Sequence, residues 1–193
     1  MSLSAKKENT GYTYRDYKSW SDYERWELIS GIAYDMSPAP SRRHQEVCLE
    51  LARQISNYLV GKTCKVYIAP FDVRLPEGKQ IDEDIHNVVQ PDITVVCDSA
   101  KLDDKGCIGV PDLIMEILSP YTSGKDMKEK LNLYERSGVK EYWIVHPTDK
   151  IAMVFKLGLD GFYGRPYVYT QDDTVKVCIF EDLFIMLKLV FAE

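Results

Sequence analysis

Apolar positions along the chain follow two periods, and the period predicts the element. Val47, Cys48, Leu51, Ile55 and Leu59 recur at helical spacing and define the buried stripe of a helix from about Arg42 to Leu59. The breaker Ser37-Pro38-Ala39-Pro40-Ser41 leads into it. Ahead of that break, two short apolar runs flank Ser30-Gly31 and predict a hairpin over residues 26–36. Further upstream, Thr13 is a plausible N-cap for a short helix to Trp20 that packs Tyr12, Tyr14, Tyr17, Trp20 and Tyr23 onto the body.

Downstream, apolar runs predict strands at 64–75, 88–97 and 111–118, separated by polar loops at 76–87 and 98–109. A helix follows from about Gly124 to Arg136, with Gly138 as its C′ residue, and then an aromatic-rich strand from Glu141 to Val145. The tail from Lys150 to Leu189 reads as three or four strands, with turns at Leu159-Asp160-Gly161 and Gln171-Asp172-Asp173. No repeat or interdomain linker breaks this order. The expectation is a frayed N-terminus over residues 1–10 and one α/β domain over 11–193, with a mixed central sheet and a β-rich C-terminal part.

Two acids disturb the strand pattern. Asp92 follows Pro91 at the start of one run, and Glu116 sits inside Leu113-Ile114-Met115-Glu116-Ile117-Leu118. Apolar residues on both sides of an acid imply a strand covered on both faces, where an ionised carboxylate is expensive unless it is paired or holds a metal. Two such acids on neighbouring strands make an oxygen-rich pocket suited to Mg²⁺ or Mn²⁺, the chemistry of metal-dependent phosphodiester hydrolysis.

Composition changes this picture little. The chain has 193 residues, 45% of them hydrophobic and 28% charged, enough to bury a core without staples. It lacks a long apolar run, so no membrane span is expected, and no signal peptide is visible at residues 1–9. The five cysteines are scattered, without a C-x-x-C pair. Most read as small core thiols in a reducing compartment, which points to a cytoplasmic protein. The net charge of −6 argues against a duplex binder, although an acidic metal site with a local basic rim is compatible with a nuclease.

Pro91-Asp92, Glu116-Ile117-Leu118-Ser119-Pro120, Asp126, Lys130, Tyr134 and Gly138-Val139-Lys140-Glu141-Tyr142-Trp143-Ile144-Val145 together resemble the putative restriction endonuclease family. This family, once filed as a domain of unknown function, belongs to the PD-(D/E)XK nuclease superfamily. Glu27-Leu28-Ile29-Ser30-Gly31 and His44 resemble its N-terminal half. The resemblance implies a restriction endonuclease-like fold, DNA as substrate, and one or two divalent metals on Asp92 and Glu116. It also implies a lysine that orients the attacking water and supplies positive charge to the transition state. Such nucleases often act as dimers, so a homodimer is a further expectation.

One position departs from the pattern. The usual lysine lies two residues after the second acid, on the same strand face, and here that residue is Leu118. Lys130 is the replacement candidate. At about 100° per residue from Met127, Lys130 flanks the stripe of Leu131 and Tyr134, within reach of a strand packed beneath the helix. The resemblance points to the same lysine. The plainer alternative is an i,i+4 ion pair between Asp126 and Lys130.

Glu116 has a plainer alternative too, as a buried acid paired with an arginine such as Arg74. His44, on the apolar stripe of its helix, is either a hydrogen-bonded core residue or an assistant to the site. Glu27 is, by the resemblance alone, the outside candidate for a third acid. Arg42, Arg43, Lys125 and Lys128 stand near helix starts, as phosphate contacts or as solvated surface. Three functions compete. The first is a Mg²⁺-dependent endonuclease using Asp92, Glu116, Lys130 and His44. The second is an inactive nucleic-acid-binding or protein-interaction module on the same fold. The third is phosphohydrolysis of a small nucleotide.

Overall fold

The structure is a computed structural model that describes residues 10–20, 25–36, 40–119 and 126–192. The N-terminal tail, Tyr23, the break at 37–39, Lys125 and the expected start of the second long helix lie outside the described residues, as does the side chain of Asp126.

In chain order, α1 (Tyr14–Tyr17) precedes the hairpin of β1 (Trp26–Ile29) and β2 (Ile32–Asp35), and then comes α2 (Arg42–Leu59). Next are β3 (Lys65–Ile68), β4 (Asp72–Arg74), β5 (Val88–Val89), β6 (Ile93–Val96), β7 (Leu102–Asp103), β8 (Gly106–Ile108) and β9 (Leu113–Ile117). A π-helical turn, Asp126–Lys130, runs straight into α3 (Leu131–Ser137). The chain continues through β10 (Glu141–His146), β11 (Ile151–Lys156), β12 (Tyr167–Thr170), β13 (Thr174–Lys176) and β14 (Phe184–Met186). It closes on α4, Leu187–Val190, a short helix that the strand pattern of the tail did not predict.

Local chemistry accounts for the boundaries. Ser30 and Gly31 both take positive φ, which lets two residues join β1 to β2 in the Ile29↔Ile32 register. The Ser41 side chain caps α2 by accepting from the His44 N–H. Gly138 ends α3 in the left-handed conformation at φ 87°, its N–H donating to the carbonyls of Tyr134 and Glu135.

Two six-stranded mixed sheets result. One has the order β12-β11-β10-β9-β6-β3, with β9 and β10 parallel; the other runs β2-β1-β5-β4-β8-β7, and β13 and β14 form a separate ladder. The expected strand 64–75 is therefore two strands in different sheets, broken around Pro70, and the expected strand 88–97 breaks likewise at Gln90-Pro91-Asp92. Proline has no N–H to give to a ladder, and each break hands the chain from one sheet to the other. The loop read at 98–109 holds the short strands β7 and β8.

Alternation along β9 places Leu113, Met115 and Ile117 in a core beneath α2, α4 and the β13–β14 ladder. Ile114 and Leu118 point to the opposite core, with Leu133, Tyr134, Tyr142 and Ile144. Glu116 shares that second face by its period of two. Fully buried side chains such as Trp143 and Leu113 each contribute about 1.5–3 kcal/mol relative to exposure.

Cys64 and Cys97 form a disulfide, contrary to the reading of scattered core thiols. The two stand one step beyond the Lys65↔Val96 pair of the antiparallel β3–β6 ladder, so register rather than sequence spacing brings them together. Cys48, Cys107 and Cys178 are free. A reducing compartment can no longer be read from unpaired cysteines. Among the described residues, no helix is long and apolar enough to cross a membrane.

Candidate active site

The strand register sets the two acids of the strand pattern at opposed positions. In the β6–β9 ladder Ile93 pairs with Met115, so the next step sets Asp92 opposite Glu116. The Asp92 carboxylate leans over β9, where its Oδ2 accepts from the Ile117 N–H at 2.8 Å. Asp92 also continues the β3 ladder, its carbonyl accepting from the Ala69 N–H at 3.2 Å. It sits at the rim, with 19% of its side chain exposed against 4% for Glu116.

Lys130 enters from the helical side. The π-turn and α3 pack over the face of β9 that carries Glu116, and residues four apart present side chains together. Lys130 Nζ lies 2.7 Å from Glu116 Oε1, and the Tyr134 hydroxyl donates to the same oxygen at 2.9 Å. The ammonium also meets Glu27 Oε1, on β1 of the other sheet, at 2.8 Å. Glu27 Oε1 in turn accepts from the Gln90 N–H at 3.0 Å. Lys130, Glu27 and Glu116 are all buried. One ammonium thus bridges two carboxylates from two different sheets. Burial, reinforced by the Glu116 charge, holds the Tyr134 hydroxyl well above its ordinary pKa of 10, so it remains a donor.

From the opposite face, α2 brings His44, whose Nε2 is 3.2 Å from Asp92 Oδ2. One turn on, the Cys48 thiol lies 3.8 Å from the Asp92 carbonyl oxygen. Burial and then the Asp92 charge push that thiol up to about 12, so it is no thiolate ligand.

The sequence candidates therefore divide. Asp92, Glu116, Lys130 and His44 converge, and Glu27 joins them. Glu27 was read from the resemblance alone, although it too is an acid inside an apolar run, Trp26-Glu27-Leu28-Ile29, the signal that singled out Glu116. Tyr134 was read as part of a buried stripe and of the resemblance, with no role at the acids. Arg74 is not the partner of Glu116; it bonds Asp82 and Asp103. Arg43 donates to the carbonyls of Phe191 and Ala192, and Arg42 pairs with Glu46, so neither is held ready for a phosphate.

The mixed α/β architecture is that of a restriction endonuclease-like fold, with the lysine near the second acid coming from a helix instead of the strand. Comparison with known proteins agrees. Residues 14–187 match the Uma2 family, described as "Putative restriction endonuclease", and the chain belongs to that family. An uncharacterised protein of Synechocystis sp. is 26% identical over 149 residues, covering 76% of this chain and 74% of the relative. A crystal structure described as a putative nuclease belonging to DUF820, from Anabaena variabilis, superposes with a TM-score of 0.72. It is 18% identical, and the match covers 92% of this chain and 95% of that one. At that identity the likeness bears on the fold alone.

Proposed function

We propose that this protein is a Mg²⁺- or Mn²⁺-dependent endonuclease that hydrolyses DNA phosphodiester bonds at the Asp92–Glu116 site. The observation that carries the reading is the buried Lys130 ammonium, 2.7 Å from Glu116 and 2.8 Å from Glu27. A helix delivers to the second acid the cation that its own strand lacks, since the usual position holds the buried Leu118.

The donors suit a hard divalent cation, because Asp92 and Glu116 offer carboxylate oxygens from opposed positions. Among the described residues, Asp92, Glu27 and Glu116 gather carboxylate oxygens around this part of the fold, a donor set that favours a cation. Among the described residues no group of three His, Cys, Asp or Glu side chains is spaced to hold a metal by itself. Mg²⁺ keeps waters and commonly uses one or two carboxylates together with substrate phosphate. When bound, such an ion would lower the pKa of water and stabilise the attacking and departing oxygens.

The chain's own groups act around that ion. Lys130 holds Glu116 in place and adds positive charge beside the phosphoryl group as its charge rises. Tyr134 fixes the Glu116 rotamer. His44 orients Asp92 from α2. The third acid, Glu27, anchors the ammonium.

The rival reading, an inactive nucleic-acid-binding or protein-interaction module, draws support from Leu118 in the usual lysine position and from the net charge of −6. Nicking of supercoiled plasmid with Mg²⁺ or Mn²⁺ separates the two. Nicking by the wild type that disappears in Glu116→Gln supports the nuclease, and no nicking on any nucleic acid favours the module. Homodimerisation is part of the same proposal. The edge strand β12, with Tyr167 and Val168 exposed, would supply the pairing surface, and sedimentation measures it.

A further inference from the structure

Beside the acids lies a cleft of about 420 Å³, lined in part by Tyr67, Pro70, Phe71, Asp72, Gln90 and Lys105. Both of its walls attach to the site already described. Pro70 follows Ala69, whose N–H donates to the Asp92 carbonyl, and the Gln90 N–H donates to Glu27. Gln90 is two residues from Asp92, a span of at most about 7 Å of extended chain.

The lining combines π surface with acceptors. The rings of Tyr67 and Phe71 stack in parallel, 4.2 Å apart and 2° from coplanar. Asp72 Oδ1 accepts from the Tyr17 hydroxyl at 3.1 Å and from Gln90 Nε2 at 2.9 Å. Gln90 Oε1 is in turn fixed by Arg25 at 2.8 Å. Asp72 Oδ2 takes no hydrogen bond among the described residues. Burial raises the Asp72 pKa because it penalises the charged form, so a donor supplied from the cleft is favoured. Asp104 and Lys105 also line the cleft, as does Asp103, whose carboxylate is held by Arg74. A flat ring with an amino group suits such a wall.

We infer that this cleft is a subsite for one unstacked nucleobase bearing an exocyclic amino group. The base stacks against the Tyr67–Phe71 pair and its amino group donates to Asp72 Oδ2. The occupant is a base of a single-stranded or frayed strand, since a stacked, paired base presents neither its face nor its pairing edge. Thymine and uracil are disfavoured, because carbonyl oxygens flank their only pairing-edge N–H and would face the carboxylates. The placement beside a scissile phosphate rests on the nuclease reading; the recognition of the base does not.

Fluorescence anisotropy of labelled single-stranded oligo-dC, oligo-dA and oligo-dT, measured in EDTA so that cleavage plays no part, tests it. Oligo-dC and oligo-dA should bind the wild type more tightly than oligo-dT. Phe71→Leu and Tyr67→Leu should each weaken binding about fivefold or more, the scale of one base–aromatic stack. Asp72→Asn keeps an oxygen for Tyr17 and Gln90 but replaces Oδ2 with an amide donor, so it should shift the preference toward oligo-dT. Thermal unfolding verifies that each variant is folded. Equal binding of the three oligomers, or no binding of any, overturns the subsite. A protein that discriminates bases without nicking plasmid keeps the subsite and loses the nuclease reading; nicking without discrimination does the reverse.

Discussion

Two buried cations in this fold each sit between two carboxylates, and their surroundings give them opposite meanings. Arg74 on β4 bonds Asp82 at 2.8 and 2.9 Å and Asp103 at 2.6 Å, with its guanidinium 4.9 Å from the centre of the Tyr14 ring. Its partners are 33% and 40% exposed and lie on the loop and short strand at the edge of their sheet. Lys130 sits between Glu27 and Glu116, which are 0% and 4% exposed, beside the rim acid Asp92. The two terminal nitrogens of the guanidinium and the aromatic face tie the first group into a fastening between loops, while Nε has no hydrogen-bond partner among the described residues. In the second, a single point charge sits between two buried carboxylates, beside the rim acid Asp92. Composition alone does not distinguish the two groups. Burial of the acids does.

Removing each cation should break this symmetry most visibly in stability. Lys130→Met leaves two carboxylates buried where the ammonium stood, and such a loss costs about 3–5 kcal/mol. Arg74→Met should cost less, about 1–3 kcal/mol, because Asp82 and Asp103 can rehydrate. Urea denaturation compares them. Adding Mn²⁺ should stabilise the wild type and Arg74→Met alike, leaving the gap between them unchanged, and should narrow the gap between Lys130→Met and the wild type, because the acids freed of the ammonium bind the ion more tightly. Equal losses with equal response to Mn²⁺ would make the two groups alike.

The next effect concerns turnover. Glu116→Gln keeps an oxygen for Lys130 and Tyr134 but removes the charge, and plasmid nicking should fall about 100-fold or more. Asp82→Asn, the matching change beside Arg74, should leave nicking unchanged and lower the melting temperature by a few degrees, since one kcal/mol shifts a chain of this size by about 2–4 °C.

A smaller change tests the rim. His44→Gln removes the imidazole at 3.2 Å from Asp92 while keeping a polar side chain on α2. Nicking should fall about tenfold, below the 10²–10⁴ typical of a full acid–base role, if His44 orients Asp92 rather than carrying the proton itself. A loss of 100-fold or more would promote it to general acid or base.

The sequence revealed this contrast only in part, and the reasons are physical. The stripe of α2 was legible because one apolar face over 18 residues fixes the helical period. Asp92 and Glu116 were legible because an acid in an apolar run violates the strand pattern. Lys130 needed helix geometry and the family resemblance together. The split of residues 64–75 into β3 and β4 was hidden, since apolar content runs through both pieces and only Pro70 marks the change of sheet. The Cys64–Cys97 pairing depends on the register of β3 against β6, which spacing does not encode. The grouping of Glu27 with Lys130 is likewise tertiary, because it requires the β1 hairpin of one sheet to meet the helix lying over the other.

The last prediction separates the tyrosines that accompany the two cations. Tyr14 offers Arg74 its ring face, whereas Tyr134 gives Glu116 a proton-bearing hydroxyl at 2.9 Å. Deleting each hydroxyl should therefore have unequal effects. Tyr14→Phe keeps the face and should change stability by under about 0.5 kcal/mol, as expected where no special contact is removed. Tyr134→Phe removes one hydrogen bond to a charged acceptor, which contributes about 1.5–3 kcal/mol at most and less here because Lys130 still holds the same oxygen. We expect about 1 kcal/mol in urea denaturation and a few-fold loss of nicking. The pH dependence checks the cause. Burial and the Glu116 charge hold the folded Tyr134 pKa above its ordinary value of 10, so the hydroxyl keeps its proton in both folded and unfolded states across the neutral range. No proton is taken up or released there by this group, and the Tyr134→Phe deficit should stay flat with pH. It should change only in alkali, near the unfolded value, where the unfolded wild type ionises first and its stability begins to fall as pH rises. A deficit that instead varied steeply through neutral pH would mean that Tyr134 exchanges its proton with the site, and would move it from holding Glu116 to taking part in the chemistry.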